Sequence, residues 1–147
     1  MSTQPSPTTY EQRARVGRLI SRGETELVQA LDKALEHFGV TAAQYVILST
    51  LWAGRGDTAA QICKEISYTP GAMTRMLDRL AQKQLIRRLP YADDRRSIKL
   101  ELTDEGRALF PKLLAAATTV IDRFFGDLNA NELRQLETLL EKMLSRV

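Results

Sequence analysis

The sequence predicts a mainly α-helical fold with one small β-hairpin. Two observations predict it. Long stretches carry apolar residues at three- and four-residue steps after helix-capping patterns, and one segment near residue 100 carries them at every second position. The length of 147 residues, with 44% hydrophobic and 27% charged residues, is typical of a single globular domain. These values exclude a disordered or fibrous chain.

Composition also excludes several classes of protein. The longest nearly apolar stretch, residues 113–121, is much shorter than the roughly 20 residues that cross a bilayer. Residues 1–9 contain neither a basic residue nor an apolar block, so we expect a flexible tail, no secretory signal and a cytoplasmic location. One histidine, His37, and one cysteine, Cys63, cannot supply a zinc site without several carboxylates. We therefore predict no metal and no cofactor.

The first third of the chain predicts a long helix followed by a shorter one. Apolar residues recur at helical spacing over residues 10–38, and Gly39 ends that helix. Thr41 and Gln44 have the spacing of a capping box and begin the second helix. The apolar face of this helix comprises Tyr45, Leu48, Leu51 and Trp52.

Two further helices follow in the middle of the chain. Thr58 precedes a short third helix that carries Cys63. Thr69 can cap a fourth helix, and Pro70 occupies its first position, where the missing N–H of proline costs nothing. This helix extends to about Gln82. Its inward residues are predicted to be Met73, Met76, Leu77 and Leu80.

A β-hairpin follows the fourth helix. Ile86–Tyr91 is predicted to pair with a second strand across a charged turn at residues 92–95. The buried face of the second strand is predicted from its alternating residues Ile98, Leu100 and Leu102. The order over residues 40–103 is thus helix, short helix, turn, helix and hairpin. This order predicts a winged helix-turn-helix lobe, in which the hairpin is the wing.

The last third of the chain predicts two more helices. Thr103 begins one with an acidic first turn, in which Pro111 marks a kink or a restart, and Asn129 caps the other. Residues 10–38 and 104–147 are interpreted as a helical dimerisation region, because they carry more apolar positions than so small a lobe can cover. These positions include Phe124, Phe125, Leu128, Leu136, Leu139, Leu140 and Leu144.

The charge of the chain is concentrated in the predicted lobe. Residues 67–99 contain eight basic and three acidic residues, a net charge of +5, whereas the whole chain carries +3. The remaining residues are therefore slightly acidic. A solvated surface helix and loop would be the simpler explanation of a charge run, but clustering on a helix-turn-helix pattern favours a nucleic-acid interface.

The predicted interface combines the start of the fourth helix with the tip of the hairpin. Small and hydroxyl side chains let the helix approach the floor of a major groove, and Arg75 can make a two-pronged contact to guanine. Arginines at the hairpin tip suit the minor groove and its phosphates. The predicted DNA contacts are Arg55, Ser67, Thr69, Pro70, Gly71, Thr74, Arg75, Arg79, Arg95 and Arg96.

Several segments resemble a known family of regulators. Residues 94–106 have the sequence DRRSIKLELTDEG, which is similar to the wing signature of the multiple antibiotic resistance regulator (MarR) family, D-x-R followed by L-T-x-x-G. Residues 77–80 (LDRL), 85–88 (LIRR) and 41–48 (TAAQYVIL) also match the pattern of that family. The resemblance implies a homodimeric repressor that binds a palindromic DNA operator. It also implies release from DNA by a small aromatic or phenolic acid.

Two sensing mechanisms stay open at this stage. Residues that could line an effector pocket are Arg15, Arg18, His37, Tyr45 and Trp52, because an arginine and an aromatic wall suit an anionic ring. The simpler interpretation makes His37 a helix cap and Tyr45 and Trp52 core residues. Cys63 could be a redox sensor, although a small buried thiol that fills core space is the simpler interpretation.

Two other classes of function compete with DNA binding. An enzyme is disfavoured, because no Ser-His-Asp set or metal-ligand spacing surrounds the single histidine and no glycine loop for phosphate follows a strand. A helical module that binds only other proteins through its terminal helices is the second alternative. The basic wing would then be incidental.

Overall fold

The structure, a computed structural model, describes residues 6–91 and 94–146. It confirms the predicted fold class, a mainly helical protein with one antiparallel hairpin. In chain order the elements of this part are α1 (Pro7–Leu35, extended by a 3-10 turn at Glu36–Phe38), α2 (Ala42–Trp52), α3 (Ala59–Glu65), α4 (Pro70–Gln82), β1 (Ile86–Tyr91), β2 (Asp94–Leu102), α5 (Asp104–Phe124) and α6 (Ala130–Leu144).

Capping side chains set the starts of the helices. The predicted capping box at Thr41 is confirmed, with Gln44 N–H donating to Thr41 Oγ1 and Thr41 N–H donating to Gln44 Oε1, both at 3.2 Å. Thr69 caps α4, whose predicted bounds are also confirmed. The predicted start of α1 at residue 10 is three residues late, because Ser6 accepts the N–H of Thr9 and Pro7 provides a preset first position.

α5 continues through Pro111 without the predicted restart. Proline lacks the N–H that would bond one turn back, so this turn loses a hydrogen bond. A buried stripe on the same helix, Phe110, Leu113 and Ala117, packs into the core and holds the helix together across that gap.

The hairpin packs its base on the core and extends beyond it. Ile86 pairs with Leu102, and Arg88 pairs with Leu100, in antiparallel register. The prediction that Ile98 is buried is wrong, because 54% of its surface is exposed where the hairpin runs past the core. The predicted turn at residues 92–95 is too long, since β2 already begins at Asp94; residues 92 and 93 lie outside the described part.

One hydrophobic core joins the predicted lobe to α1 and α5. Leu35 of α1, Ile47 of α2, Leu80 of α4 and Leu113 of α5 are all fully buried in it. The core therefore crosses the predicted boundary between residues 40–103 and the terminal helices. Residues 7–30 of α1 and all of α6 contribute no buried residue.

Phe110 anchors an aromatic cluster at the centre of this core. Its ring stacks on Tyr45 at 5.8 Å and on Trp52 at 4.8 Å between centroids. Tyr45 is buried as predicted, but the interpretation of Trp52 as a core residue is only half right, because 45% of its surface is exposed. Burial also raises the pKa of Tyr45, and the nearby Arg55 opposes that rise.

The terminal helices leave a large apolar surface exposed, as the sequence predicts. On α6, Leu139 is 59% exposed, and residues of α6 and α1 together line an open groove of about 400 Å³. The apolar residues of this groove are Val16, Ile20, Leu136, Leu139, Leu140 and Met143. Within residues 6–91 and 94–146, no helix has both the length and the hydropathy needed to cross a membrane.

Candidate nucleic-acid interface

The outer face of α4 is open to solvent along its whole length. Met73, Leu77 and Leu80 point into the core at helical spacing and fix the orientation of the helix. The residues predicted to contact DNA from this helix and the turn before it are all exposed: Ser67, Thr69, Pro70, Gly71, Thr74, Arg75 and Arg79. The structure therefore brings seven of the ten predicted contacts together.

Gly71 makes the start of α4 slim. A Cβ atom built on Gly71 would have no other atom within 4 Å, so the space in front of this residue is empty. Arg75 and Arg79 lie one and two turns further along the helix. A backbone that is bare at its N-terminal end, with two arginines behind it, has the shape and charge that a major groove accepts.

Thr69 and Thr74 of this face differ in whether the hydroxyl proton already has an acceptor within the protein. Thr69 Oγ1 accepts the N–H of Ala72 at 3.2 Å, and within the described residues nothing takes its own proton. Thr74 Oγ1 donates to the carbonyl of Pro70 at 3.0 Å. Thr69 can therefore donate to a phosphate as it stands, whereas Thr74 would first have to turn away from its own helix.

Arg55 lies away from this face. Its Nε is 3.0 Å from Glu65 Oε1, and both residues line a cleft of about 620 Å³ between the α2–α3 turn, α3, β2 and the start of α5. The ion pair is exposed to solvent, so a DNA phosphate could compete with Glu65 for Arg55. The role of Arg55 as a DNA contact stays a prediction.

The base of the hairpin is held by internal ion pairs. Arg88 Nη2 lies 2.6 Å from Asp78 of α4, and Arg87 pairs with Glu101 across the two strands. Further out, Arg96 is exposed on β2, whereas the side chain of Arg95 lies outside the described residues. The basic cluster counted from the sequence is therefore partly neutralised at Arg87 and Arg88, whereas Arg75 and Arg79 of α4 are exposed.

Lys83 is also turned away from the predicted interface. Its ammonium group donates to the carbonyl of Gly39 and, at 2.9 Å, to Gln44 Oε1. In the sequence, Gly39 lies 44 positions before Lys83, and Gln44 lies 39 positions before it. Since no local pattern marks such a distant pair, the sequence could not have shown it.

The predicted effector residues are not brought together. Arg15 and Arg18 are exposed on the first half of α1, while Tyr45 and Trp52 contact Phe110 in the core. His37 lies elsewhere, with its ring tilted by 38° against that of Phe38 at 3.9 Å between centroids. It borders a groove of about 530 Å³ between α1 and α5 that is also lined by Lys33, Arg123 and Phe124.

Cys63 is half-buried on α3 and packs against the core. This position agrees with a space-filling thiol and leaves its surface only partly open to oxidants. Among the described residues, no group of three or more histidine, cysteine or acidic side chains could hold a metal ion.

A slim, cationic helix on a helix-turn-helix frame, followed by a hairpin wing, defines a winged helix-turn-helix protein of the DNA-binding class. Comparison with known proteins supports this class and indicates a family within it. The sequence model of the MarR family matches residues 40–98. The chain is 33% identical to the transcriptional repressor MdtR of Bacillus subtilis over 125 residues, which cover 85% of this chain and 78% of that protein.

A second relative shares a similar identity over more of its length. The multiple antibiotic resistance protein MarR of Escherichia coli is 32% identical over 130 residues, 88% of this chain and 90% of that protein. The chain therefore belongs to the MarR family. It is a DNA-binding transcriptional regulator and not an enzyme, as the sequence predicts.

Solved structures of relatives have the same fold. A cysteine-to-serine mutant of Escherichia coli MarR bound to operator DNA gives a TM-score of 0.82 at 31% identity, covering 92% of this chain and 97% of that one. The apo form of the wild-type relative gives 0.71. BpsR of Bordetella bronchiseptica, whose DNA binding is regulated by 6-hydroxynicotinic acid, gives 0.78 at 27% identity, with 87% and 91% covered.

Proposed function

We propose that this chain is a cytoplasmic repressor that binds a palindromic operator as a homodimer and leaves it when a small aromatic acid binds. The observation that carries the DNA-binding part is the face of α4, where Gly71 leaves the backbone bare beside two exposed arginines. The higher TM-score to the operator-bound relative than to its apo form supports a chain conformation like that of the DNA-bound relative.

Each part of the surface has a distinct role in this proposal. Arg75 reads a guanine edge in the major groove, with Arg79 behind it. Thr69 and the free N–H groups of the first turn of α4 bind phosphate, since a helix N-terminus attracts anions. Ser67, Pro70 and Thr74 have short side chains, which let α4 approach the major groove closely. Arg95 and Arg96 contact the adjacent minor groove and its phosphates.

Dimerisation would cover the apolar surface of the terminal helices. An exposed stripe on α6 faces the first half of α1, and neither contributes to the core of its own chain. Burying apolar area removes it from water at about 25 cal/mol per Å², which favours pairing of two copies. Twofold pairing would then place two α4 helices in successive major grooves, about 34 Å apart.

Salt dependence tests the DNA-binding part. The chain should bind duplex DNA with log affinity falling by about 0.9 per phosphate contact for each unit of log salt. Gly71→Leu should abolish this binding without unfolding the protein, because the space in front of Gly71 is empty. Gly23→Leu on α1, which also has no atom within 4 Å and lines neither groove described above, is the matched control. Equal affinity of the Gly71→Leu and control variants would contradict the assigned face.

Two observations support the effector part. A relative is regulated by an aromatic acid, and the groove beside His37 combines two cationic side chains with an aromatic wall. Titration with a panel of aromatic carboxylic acids should weaken DNA binding and raise the melting temperature for at least one compound. If neither quantity changes with any compound, this part of the proposal is wrong.

A further inference from the structure

Lys83 joins two parts of the molecule that are far apart in sequence. It is the first residue after α4, and its ammonium group reaches the turn between α1 and α2. There it donates to the carbonyl of Gly39 and to Gln44 Oε1 at 2.9 Å. The recognition helix is thus tied at its C-terminal end to the junction where α1 ends.

The other side of this contact is rigid. Gln44 is only 3% exposed, and its Oε1 also accepts the N–H of Thr41 at 3.2 Å. Asp32 of α1 accepts the N–H of Ala42 at 2.7 Å, which fixes the start of α2 to α1. The ammonium group of Lys83 therefore holds α4 against a junction that α1 itself holds in place.

Lys83 is at the wrong end of α4 to touch DNA in the proposed complex. The helix has 13 residues, so at 1.5 Å per residue its two ends lie about 20 Å apart. The bare N-terminal end with Gly71 would enter the groove. Any effect of Lys83 on DNA binding must therefore act through the position of α4.

We propose that Lys83 is a positioning residue for operator recognition. Its contacts set the angle between α4 and α1, and in a dimer built on α1 this angle sets the spacing of the two recognition helices. This inference rests on the proposed homodimer. Specific binding needs both helices in register with two half-sites, whereas non-specific binding to phosphates tolerates a change in that spacing.

The loss of Lys83 should disturb position more than stability. Gln44 Oε1 would keep the N–H of Thr41, and the exposed carbonyl of Gly39 would bond to water instead. No buried polar group would be left without a partner, which is the situation that costs most. Measurements of melting temperature and of DNA affinity can therefore distinguish a purely structural role of Lys83 from a positioning role.

The test compares Lys83→Met, which keeps the apolar stem, with Lys83→Arg, which keeps a donor. Lys112→Met, an exposed lysine on α5, is the control for loss of charge. The probes are a duplex selected by the wild-type protein from a random pool and an unrelated duplex of the same length. Affinity for both duplexes, its salt slope and the melting temperature are measured for each variant.

We expect Lys83→Met to bind the selected duplex about tenfold more weakly, as follows if about a tenth of the protein then has both α4 helices in register. Its affinity for the unrelated duplex, its salt slope and its melting temperature should stay at the wild-type values. Lys83→Arg should recover most of the loss, and Lys112→Met should show none.

Three results would overturn the inference. A salt slope reduced by about 0.9, with equal loss on both duplexes, would make Lys83 a phosphate contact. A lower melting temperature with unchanged affinity of the folded protein would make it only structural, and no change at all would leave it without a role. If the wild-type protein itself fails to bind any duplex, the proposed function fails first, and that result is read from the wild-type control alone.

Discussion

At the scale of single residues, Gly106 shows how closely two backbones approach in this fold. It lies in the first turn of α5, where its N–H donates to Thr103 Oγ1 at 3.0 Å. A Cβ atom on Gly106 would lie 2.2 Å from the carbonyl oxygen of Leu85, which itself accepts the N–H of Thr103. The wing and α5 can meet in this way only if residue 106 has no side chain.

Gly106→Ala should therefore destabilise the protein by about 2 kcal/mol, within the range for overpacking, because backbone must move to admit the methyl group. Gly17→Ala, in open space on α1, should instead stabilise it by about 0.5–1 kcal/mol. Urea unfolding of the two variants measures both free energies. A Gly106→Ala protein as stable as the wild type would show that this contact is absent.

Two tyrosines make stability depend on alkaline pH. Burial raises the pKa of Tyr45 above its ordinary value of 10.0, and burial with the nearby Glu24 and Asp32 raises the pKa of Tyr68. On raising the pH, the unfolded chain therefore loses these protons first. The stability that the protonated tyrosines supply is complete below pH 10 and declines as the pH rises through the folded-state values.

We expect the double variant Tyr45→Phe, Tyr68→Phe to show a shallower decline in unfolding free energy above about pH 10 than the wild type. Denaturant unfolding at a series of pH values between 8 and 11 measures this slope. An identical decline in both proteins would mean that other groups cause it.

At the scale of elements, the sequence correctly predicted the helix bounds that depend on hydrogen bonds between residues close together in the chain. The bounds of α4 followed from Thr69 and Pro70, and the start of α2 followed from a capping box, because the capping partners lie three residues apart. The point on β2 at which its buried face ends could not be predicted from the sequence. Alternation predicts two faces for a strand but not where the core beneath it ends, so Ile98 was expected inside.

The same reasoning explains why two contacts between elements of the lobe could not be predicted. The ion pair of Arg55 with Glu65 and the contacts of Lys83 join different elements, and spacing along the chain contains no signal for them. The face of α4 could be predicted because burial of one side of a helix fixes the exposure of the other. Which of the predicted effector residues lie side by side could not be predicted, since that depends on how distant helices pack.

The two sets of arginines should respond differently to truncation. Arg75→Ala should cost about 1 to 3 kcal/mol on the preferred duplex and relax the preference for one base pair. Arg96→Ala should weaken all duplexes alike, because a wing contact to backbone and minor groove carries little sequence information. Arg22→Ala, which removes an exposed ion pair on α1, serves as the control.

Binding of each variant to a set of duplexes with single base-pair changes measures both quantities. If Arg75→Ala lowers affinity equally for every duplex in the set, Arg75 does not read a base. The wing assignment would be wrong if Arg96→Ala left affinity unchanged at low salt.

At the scale of the whole molecule, the unusual feature is how little of α6 the chain uses for its own core. No residue of α6 is buried, although its apolar residues recur at helical spacing. A helix with an uncovered apolar face is stable only if something covers that face. A second copy of the chain is the proposed cover.

Leu139→Asp should therefore convert the dimer to a folded monomer and greatly weaken operator binding, because it places a charge in the interface. The lobe should keep its structure, since Leu139 contributes nothing to the core. Gln135→Asp adds the same charge on the same helix at an exposed polar position and should leave the dimer intact. Sedimentation equilibrium and circular dichroism measure assembly and fold, and a Leu139→Asp dimer would contradict this interface.

The symmetry of the preferred DNA site tests the whole account most directly. Selection of duplexes from a random pool by the purified protein should enrich an inverted repeat, with half-site centres about one helical turn apart and one dimer bound per site. Enrichment of an asymmetric site, binding of a single chain per duplex, or no enrichment at low salt would contradict it.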